Sequence, residues 1–156
     1  MISLNIPGFG PLNIEHLVMD YNGTIALDGN LMPGIGKIIK ELSVDIEIHV
    51  LTADTFGQCE ENLIDLPVSI HIISGTSEDK AKLDYINSVG AEKCACIGNG
   101  RNDALMLKEA ALGIVVSGPE CTSMVAARSA DIAASDIAHA LGLFTHPIRL
   151  MTTLRY

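Results

Sequence analysis

The chain has 156 residues, 48% of them hydrophobic and 4% aromatic, and its formal net charge at pH 7 is −9. This composition excludes a disordered chain, and the length fits a single domain, 1–156, with its own core. The negative charge excludes general attraction to nucleic acids or anionic membranes, and no apolar run approaches the roughly 20 residues of a membrane span, so neither partner is expected.

The first residues lack the basic and apolar regions of a signal peptide. The four cysteines show no ligand pattern for a metal and are predicted to stay reduced. The expected location is therefore cytoplasmic.

Strand-like and helix-like stretches alternate along the chain. Short apolar or β-branched runs predict strands at 16–19, 45–51, 68–73, 93–97, 112–116 and 131–133. Helical spacing and end signals predict helices at 33–42, 56–63, 77–89 (capped by Ser77), 102–111, 120–128 and from 135 onward. Asp28-Gly29 predicts a turn in a hairpin-like segment, 25–31. This succession predicts an α/β fold with a three-layer, doubly wound, mostly parallel sheet.

Ligands of such sheets bind beyond the carboxyl ends of the strands. The segments found there are Asp20-Tyr21-Asn22-Gly23-Thr24, Thr52-Ala53-Asp54 and Gly98-Asn99-Gly100-Arg101-Asn102-Asp103. Lys80 lies in the first turns of the helix 77–89, near the same edge. A carboxylate, a hydroxyl, an ammonium and a second carboxylate are what phosphoryl transfer through an aspartyl phosphate needs, with Mg²⁺ reducing the charge repulsion.

These segments resemble, in order, the four motifs of the haloacid-dehalogenase-like superfamily. Asp20 to Thr24 is similar to its first motif, Asp-x-Asp-Gly-Thr, and Thr52 to its second. Ser77-Glu78-Asp79-Lys80 resembles the third motif as P-type ATPases carry it, and 98–103 resembles their Gly-Asp-Gly-x-Asn-Asp. The likeness runs from about residue 16 to about residue 134 and describes a soluble, stand-alone relative of the ATPase phosphorylation domain.

The resemblance implies a role for each matched residue. The catalytic positions are Asp20, the nucleophile, and Asn22; the phosphate-binding positions are Thr52, Ala53, Lys80, Asn102 and Gly23; the Mg²⁺ ligands are Asp20, Asn22 through its carbonyl, Asn99 and Asp103. Lys82 competes with Lys80 for the third-motif role, and Lys80 is preferred.

Two matched positions depart from the family pattern. Asn22 replaces the acid that protonates the leaving group, so substrates with poor leaving groups should suffer most. Asn99 replaces a metal-binding Asp, and a neutral amide oxygen should weaken Mg²⁺ binding unless Asp103 compensates.

The resemblance leaves two functions open. The first is a Mg²⁺-dependent phosphohydrolase acting on a phosphorylated substrate, restricted to good leaving groups. The alternative is a weak or inactive phosphate-binding or interaction module. The 31 residues between Asp20 and Thr52 and the 27 between Thr52 and Lys80 leave no room for a cap domain, so a capless core is expected. The apolar tail, 144–156, docks either on a second subunit, giving a homo-oligomer, or on its own core.

Three histidines flank or occupy apolar strands: His16, His49 and His71. A histidine in that setting is more often structural than a ligand, so a structural role is predicted for all three.

Overall fold

The computed structural model describes residues 1–53 and 58–156, so 54–57, including Asp54 and the start of the predicted helix 56–63, lie outside the described residues. The strands are β1 Ile2–Ile6, β2 Gly10–Ile14, β3 His16–Asp20, β4 Ala26–Leu27, β5 Asn30–Leu31, β6 Glu47–Thr52, β7 Ser69–Ile72, β8 Cys94–Gly98, β9 Leu112–Val116 and β10 Ile132–Ala134. The α-helices are α1 Ile35–Leu42, α2 Gln58–Leu63, α3 Glu78–Val89, α4 Ala104–Glu109, α5 Met124–Ala127, α6 Ile137–Thr145 and α7 Pro147–Leu154. Short 3-10 helices cover Ala91–Lys93 and Arg101–Asp103.

Six strands form the central sheet in the order β10-β9-β8-β3-β6-β7, and every neighbouring pair is parallel. The order runs outward from β3 in both directions, which is the doubly wound arrangement predicted from the sequence. The strands β3 and β8 lie at the centre, and their carboxyl ends carry the first and fourth motifs.

Alternating side chains of the central strands feed two separate apolar layers. On β3, Leu17 and Met19 join a core cluster with residues of α1, α6 and α7. Val18, on the other face, packs with residues of α3, α4 and α5. The result is a three-layer α/β fold, and the parity places His16 and Asp20 on the face covered by α3.

The local signals account for several element boundaries. Asp28 (φ 50°) and Gly29 (φ 81°) adopt the left-handed conformations that a tight hairpin turn requires, and they join β4 to the antiparallel β5. The helix α3 ends at Gly90 (φ 101°), as predicted. Ser77 stands at its N-cap, but its side chain makes no capping hydrogen bond, so that detail was wrong.

Two further stretches differ from the prediction. The helix expected at 120–128 is only the four-residue α5, because Ser123 accepts a hydrogen bond from the Val125 amide and starts the helix there. The antiparallel hairpin β1-β2 was not predicted at all.

The C-terminal tail folds back on the domain. Leu150 is fully buried in the main core cluster, while Ile148 is exposed. Docking on its own core, one of the two predicted alternatives, is therefore observed for α7. Across residues 1–53 and 58–156, no helix has both the length and the apolar content for crossing a membrane.

Candidate active site

Asp20 ends β3 and lines a cleft of about 620 Å³ at the carboxyl edge of the sheet. The cleft also contains Asn22, Thr52, Ala53, Asn99 and Asn102, all of them predicted site residues. Thr52 ends β6, the strand beside β3, and it is buried, whereas Ala53 and Asn22 are exposed. Parallel strand ends therefore bring together residues that are far apart in the sequence, as expected.

The lysine beside Asp20 is Lys82, not Lys80. The Nζ atom of Lys82 donates to Asp20 Oδ1 and to Asp103 Oδ1, both at 2.6 Å. Lys82 is only 1% exposed, whereas Lys80 is exposed. The preference for Lys80 is thus corrected, because the first turns of α3 direct residue 82 toward the sheet and residue 80 toward solvent.

The carboxylates of Asp20 and Asp103 both bind the ammonium of Lys82. This contact influences the pKa values of Asp20 and Lys82. Burial raises the pKa of Asp20 to about 7 and the negative charge of Asp103 adds to the rise, although Lys82 and Thr24 favour the carboxylate. Burial lowers the pKa of Lys82, but the two carboxylates outweigh it and hold that pKa above its ordinary value. Lys82 therefore stays positively charged beside the Asp20 carboxylate.

Asp103 lies behind the cleft rather than in it. It is 0% exposed; Oδ1 accepts from Lys82, and Oδ2 accepts from the amides of Asn99 (3.0 Å) and Gly100 (2.8 Å). Its carboxylate therefore has no access to the cleft, unlike that of Asp20, which lines it. The prediction that Asp103 is itself a metal ligand does not fit this position, which instead suits it to hold Lys82 and the turn after β8.

Thr24 connects Asp20 with Asn99. Its hydroxyl donates to Asp20 Oδ2 at 3.1 Å or to Asn99 Oδ1 at 3.3 Å. The side-chain Nδ2 of Asn99 donates to the Cys121 carbonyl at 3.0 Å, which leaves Oδ1 facing the Thr24 hydroxyl. One hydroxyl hydrogen satisfies only one of the two oxygens at a time.

This donor set suits Mg²⁺. A carboxylate oxygen and an amide oxygen converge beside the cleft, and Mg²⁺ accepts few protein oxygens because it retains several waters. Asp20 and Asn99 would hold the ion, with Asn22 at the cleft edge.

Gly23 leaves room for this arrangement. It has φ 79°, and a Cβ there would lie 2.5 Å from Asn99 Nδ2 and 2.8 Å from Glu120 Oε2. Gly23 is buried beneath the surface of the cleft. The prediction that it contacts phosphate does not fit this position.

Three carboxylates of the cleft, those of Glu78, Glu120 and Asp28, were not found as site residues from the sequence. Glu78 Oε2 accepts from Asn102 Nδ2 at 2.7 Å, so the amide of Asn102 is already engaged. Glu120 lines the opposite side, where its Oε1 lies 3.5 Å from the Asp28 amide nitrogen. The position of Glu78 at the start of α3 was the available signal for the first; none marked Glu120.

Comparison with solved structures decides the fold. A hydrolase from Legionella pneumophila, assigned to HAD superfamily subfamily IIIA, superposes with a TM-score of 0.72 at 15% identity, covering 90% of this chain and 87% of that one. The 3-deoxy-D-manno-octulosonate 8-phosphate phosphatase of Moraxella catarrhalis, solved with magnesium and phosphate, gives 0.69 at 18% identity, with 91% and 94% covered. This chain has the haloacid-dehalogenase-like (HAD) fold.

The HAD fold is shared with a transport ATPase as well. A zinc-transporting PIB-type ATPase in its E2.Pi state matches 80% of this chain with 20% of its own length, at a TM-score of 0.63 and 23% identity. At these identities the likeness is one of fold, and it agrees with the predicted kinship to an ATPase phosphorylation domain.

One curated relative is similar in sequence. An uncharacterized protein of Methanocaldococcus jannaschii is 42% identical over 83 residues, which is 51% of this chain and 89% of the relative. This HAD-fold chain and the archaeal protein belong to one family. No family model matches the chain.

Proposed function

We propose that the chain is a Mg²⁺-dependent phosphohydrolase that forms an aspartyl phosphate on Asp20. The observation that carries the proposal is the Asp20 carboxylate, which faces the cleft while Lys82 and Thr24 hold its two oxygens. A fixed carboxylate of this kind acts as a nucleophile without reorganising. The phosphatase of the same fold that was solved with magnesium and phosphate is consistent with it.

The reaction takes two displacements at phosphorus. An Asp20 oxygen attacks, the P–O bond to Asp20 forms, and the bond to the leaving group breaks with its electron pair leaving on that group. Water then attacks phosphorus and the bond to Asp20 breaks with its electron pair returning to the Asp20 carboxylate; the phosphate is released and carries both protons of the water. Bound Mg²⁺ supplies positive charge against the phosphoryl oxygens.

The cleft without a cation is strongly acidic. Glu78, Glu120 and Asp28 line it together with Asp20, and a phosphate dianion would be repelled by them. Lys82 is already neutralised by two carboxylates. The proposal therefore requires a divalent cation for phosphate binding as well as for chemistry.

Asn22 defines the substrate class within this proposal. It is exposed in the cleft, and its amide neither gives a proton to a leaving group nor takes one from water. The leaving groups of acyl phosphates, anhydrides and aryl phosphates depart without receiving that proton. These phosphates are the proposed substrates, and sugar or alkyl phosphates are poor ones.

The test compares wild type, Asp20→Asn and Asn22→Asp with Mg²⁺ on acetyl phosphate, p-nitrophenyl phosphate and glycerol phosphate. Wild type should hydrolyse the first two, and Asp20→Asn should hydrolyse none. Asn22→Asp should raise turnover of glycerol phosphate by roughly 10²-fold or more, the usual contribution of a general acid. Equal activity of wild type and Asp20→Asn, or a silent wild type, would overturn the proposal and favour the interaction module.

A further inference from the structure

A second group of ligand-type side chains lies at the opposite end of β3 from Asp20. His16 begins β3, and Glu47 and His49 belong to β6; the parallel register pairs His16 with Glu47. The strand parity puts all three side chains on the face covered by α3. Their ligand atoms lie within 4.8 Å of one another.

The spacing of these atoms, 3.1 to 3.9 Å, brackets that of a first coordination sphere. His16 Nδ1 lies 3.1 Å from His49 Nε2 and 3.3 Å from Glu47 Oε2, and His49 Nε2 lies 3.9 Å from Glu47 Oε2. A tetrahedral Zn²⁺ with bonds of about 2.0–2.2 Å separates its ligand atoms by about 3.3–3.6 Å. We propose that His16, Glu47 and His49 bind one divalent transition-metal ion, Zn²⁺ foremost, with a fourth position open to water.

The outer neighbour of His49 supports this assignment. His49 Nδ1 lies 2.8 Å from the hydroxyl of Tyr85 on α3. In the tautomer that donates this proton to Tyr85, the lone pair of Nε2 faces His16 and Glu47. Metal-binding histidines are held in this way, through a hydrogen bond from the second ring nitrogen.

The three side chains differ in burial: the two histidines are held inside the protein, and the glutamate is exposed to solvent. The His16 and His49 side chains are 16% and 7% exposed, while that of Glu47 is 74% exposed. Glu47 also borders a cleft of about 600 Å³ that contains Glu15 and Asp45. Glu15 in that cleft is already paired with Lys93, so Glu47 supplies the carboxylate that meets an entering hydrated cation, and the two rings are held in place to receive it.

The donor set separates this site from the cleft at Asp20. Two imidazole nitrogens and one carboxylate favour Zn²⁺ or Co²⁺, whereas the oxygen donors at Asp20 favour Mg²⁺. The four steps along the strand from His16 to Asp20 correspond to about 13 Å. The new site is thus independent of the proposed phosphohydrolase activity.

The experiment titrates the metal-stripped full chain with Zn²⁺ by calorimetry and with Co²⁺ by visible absorption, both in excess Mg²⁺. Wild type and Asp20→Asn should each bind one equivalent of Zn²⁺ and show the intense Co²⁺ bands of tetrahedral coordination. His16→Gln and Glu47→Gln should weaken Zn²⁺ at least 10-fold, and Tyr85→Phe should weaken it roughly 10–100-fold.

The matched control is His139→Gln, since His139 is also paired with a carboxylate, that of Asp136, but lies on the surface with no third ligand among residues 1–53 and 58–156. It should bind Zn²⁺ like wild type. Glu47 is exposed, so Glu47→Gln should fold normally, and a given Zn²⁺ concentration should raise the unfolding temperature of wild type more than that of this variant. Equal Zn²⁺ affinity in wild type and Glu47→Gln, or no stoichiometric binding by wild type, would overturn the proposal and leave a hydrogen-bonded cluster.

Discussion

Lys82 is the side chain on which the charges of the active site depend. Its ammonium is buried between Asp20 and Asp103 at 2.6 Å from each. Replacing it leaves two carboxylates close together without a counter-charge. Lys82→Met should therefore lower the free energy of unfolding by about 3–5 kcal/mol, the usual cost of breaking a buried ion pair.

Lys80→Met is the matched control, because it changes the same side chain two residues away at an exposed position. It should alter stability by no more than about 0.5 kcal/mol. Urea denaturation at pH 7.5 measures both. Similar losses in the two variants would show that the buried triad does not carry this stability.

The choice between Lys80 and Lys82 could not be made from the spacing of the motifs. Asp20, Thr52 and Asn99 follow strands, and strand ends fix their positions closely enough to be read from the sequence. A helical residue also needs its rotation about the axis, and residues 80 and 82 differ by about 200°. Ile86, one turn after Lys82 and fully buried, marks the inner face and was the unused signal.

At the scale of elements, the turn after β8 is built around the Asp103 side chain. Gly98 ends β8, and a Cβ there would lie 2.5 Å from Asp103 Cγ, while Asp103 Oδ2 accepts from two amides of the turn. Gly98→Ala should push this carboxylate away from Lys82. We expect a loss of about 1–3 kcal/mol in stability, typical of overpacking, and reduced turnover at the Asp20 site.

Gly142→Ala is a matched change in the helix α6, where an added Cβ would meet only Arg149 Nη1 at an ordinary 3.7 Å. Alanine inside a helix should there stabilise by about 0.5–1 kcal/mol. Thermal unfolding and the acetyl phosphate assay compare the two variants. A Gly98→Ala protein as stable and active as Gly142→Ala would contradict the role assigned to the turn.

The elements themselves were predictable to different degrees for physical reasons. The six core strands are short apolar runs with both faces buried, and all six were recognised. The hairpin β1-β2 is half exposed, and its signal was the alternation of Ile2, Leu4 and Ile6 around a turn with Gly8 and Gly10. The length of helix α5 was overestimated. The segment before Ser123 instead turns back toward Asn99, whose carbonyl accepts a hydrogen bond from the Ser123 amide, and apolar content alone does not show this turn.

At the scale of the whole molecule, His49 on β6 and Asp20 at the end of β3 have pKa values that are displaced in opposite directions. Burial, with smaller contributions from the charges of His16 and His71, lowers the pKa of His49 to about 4 against a raising effect of Glu47. The pKa of Asp20 is raised to about 7. Falling pH therefore destabilises the fold through His49 and stabilises it through Asp20, so each effect is hidden by the other in wild type.

The Asp20→Asn variant isolates the contribution of His49. Between pH 6.5 and about 4 the unfolded chain protonates this ring, while the native ring, facing His16, His71, Glu47 and Tyr85, stays neutral. The unfolded state then binds more protons, so the free energy of unfolding should fall over that interval, by about 2–3 kcal/mol.

Urea denaturation of Asp20→Asn in EDTA at pH 7 and pH 4.5 gives this difference, and the same pair of measurements on Asp20→Asn/His49→Gln gives the background from all other groups. The double variant should lose most of the pH dependence. If both proteins lose equal stability between the two pH values, the native ring is protonated as readily as the unfolded one. The low pKa of His49 would then be wrong, while the metal titration would be unaffected, because it is measured near neutral pH, where the ring is neutral in either case.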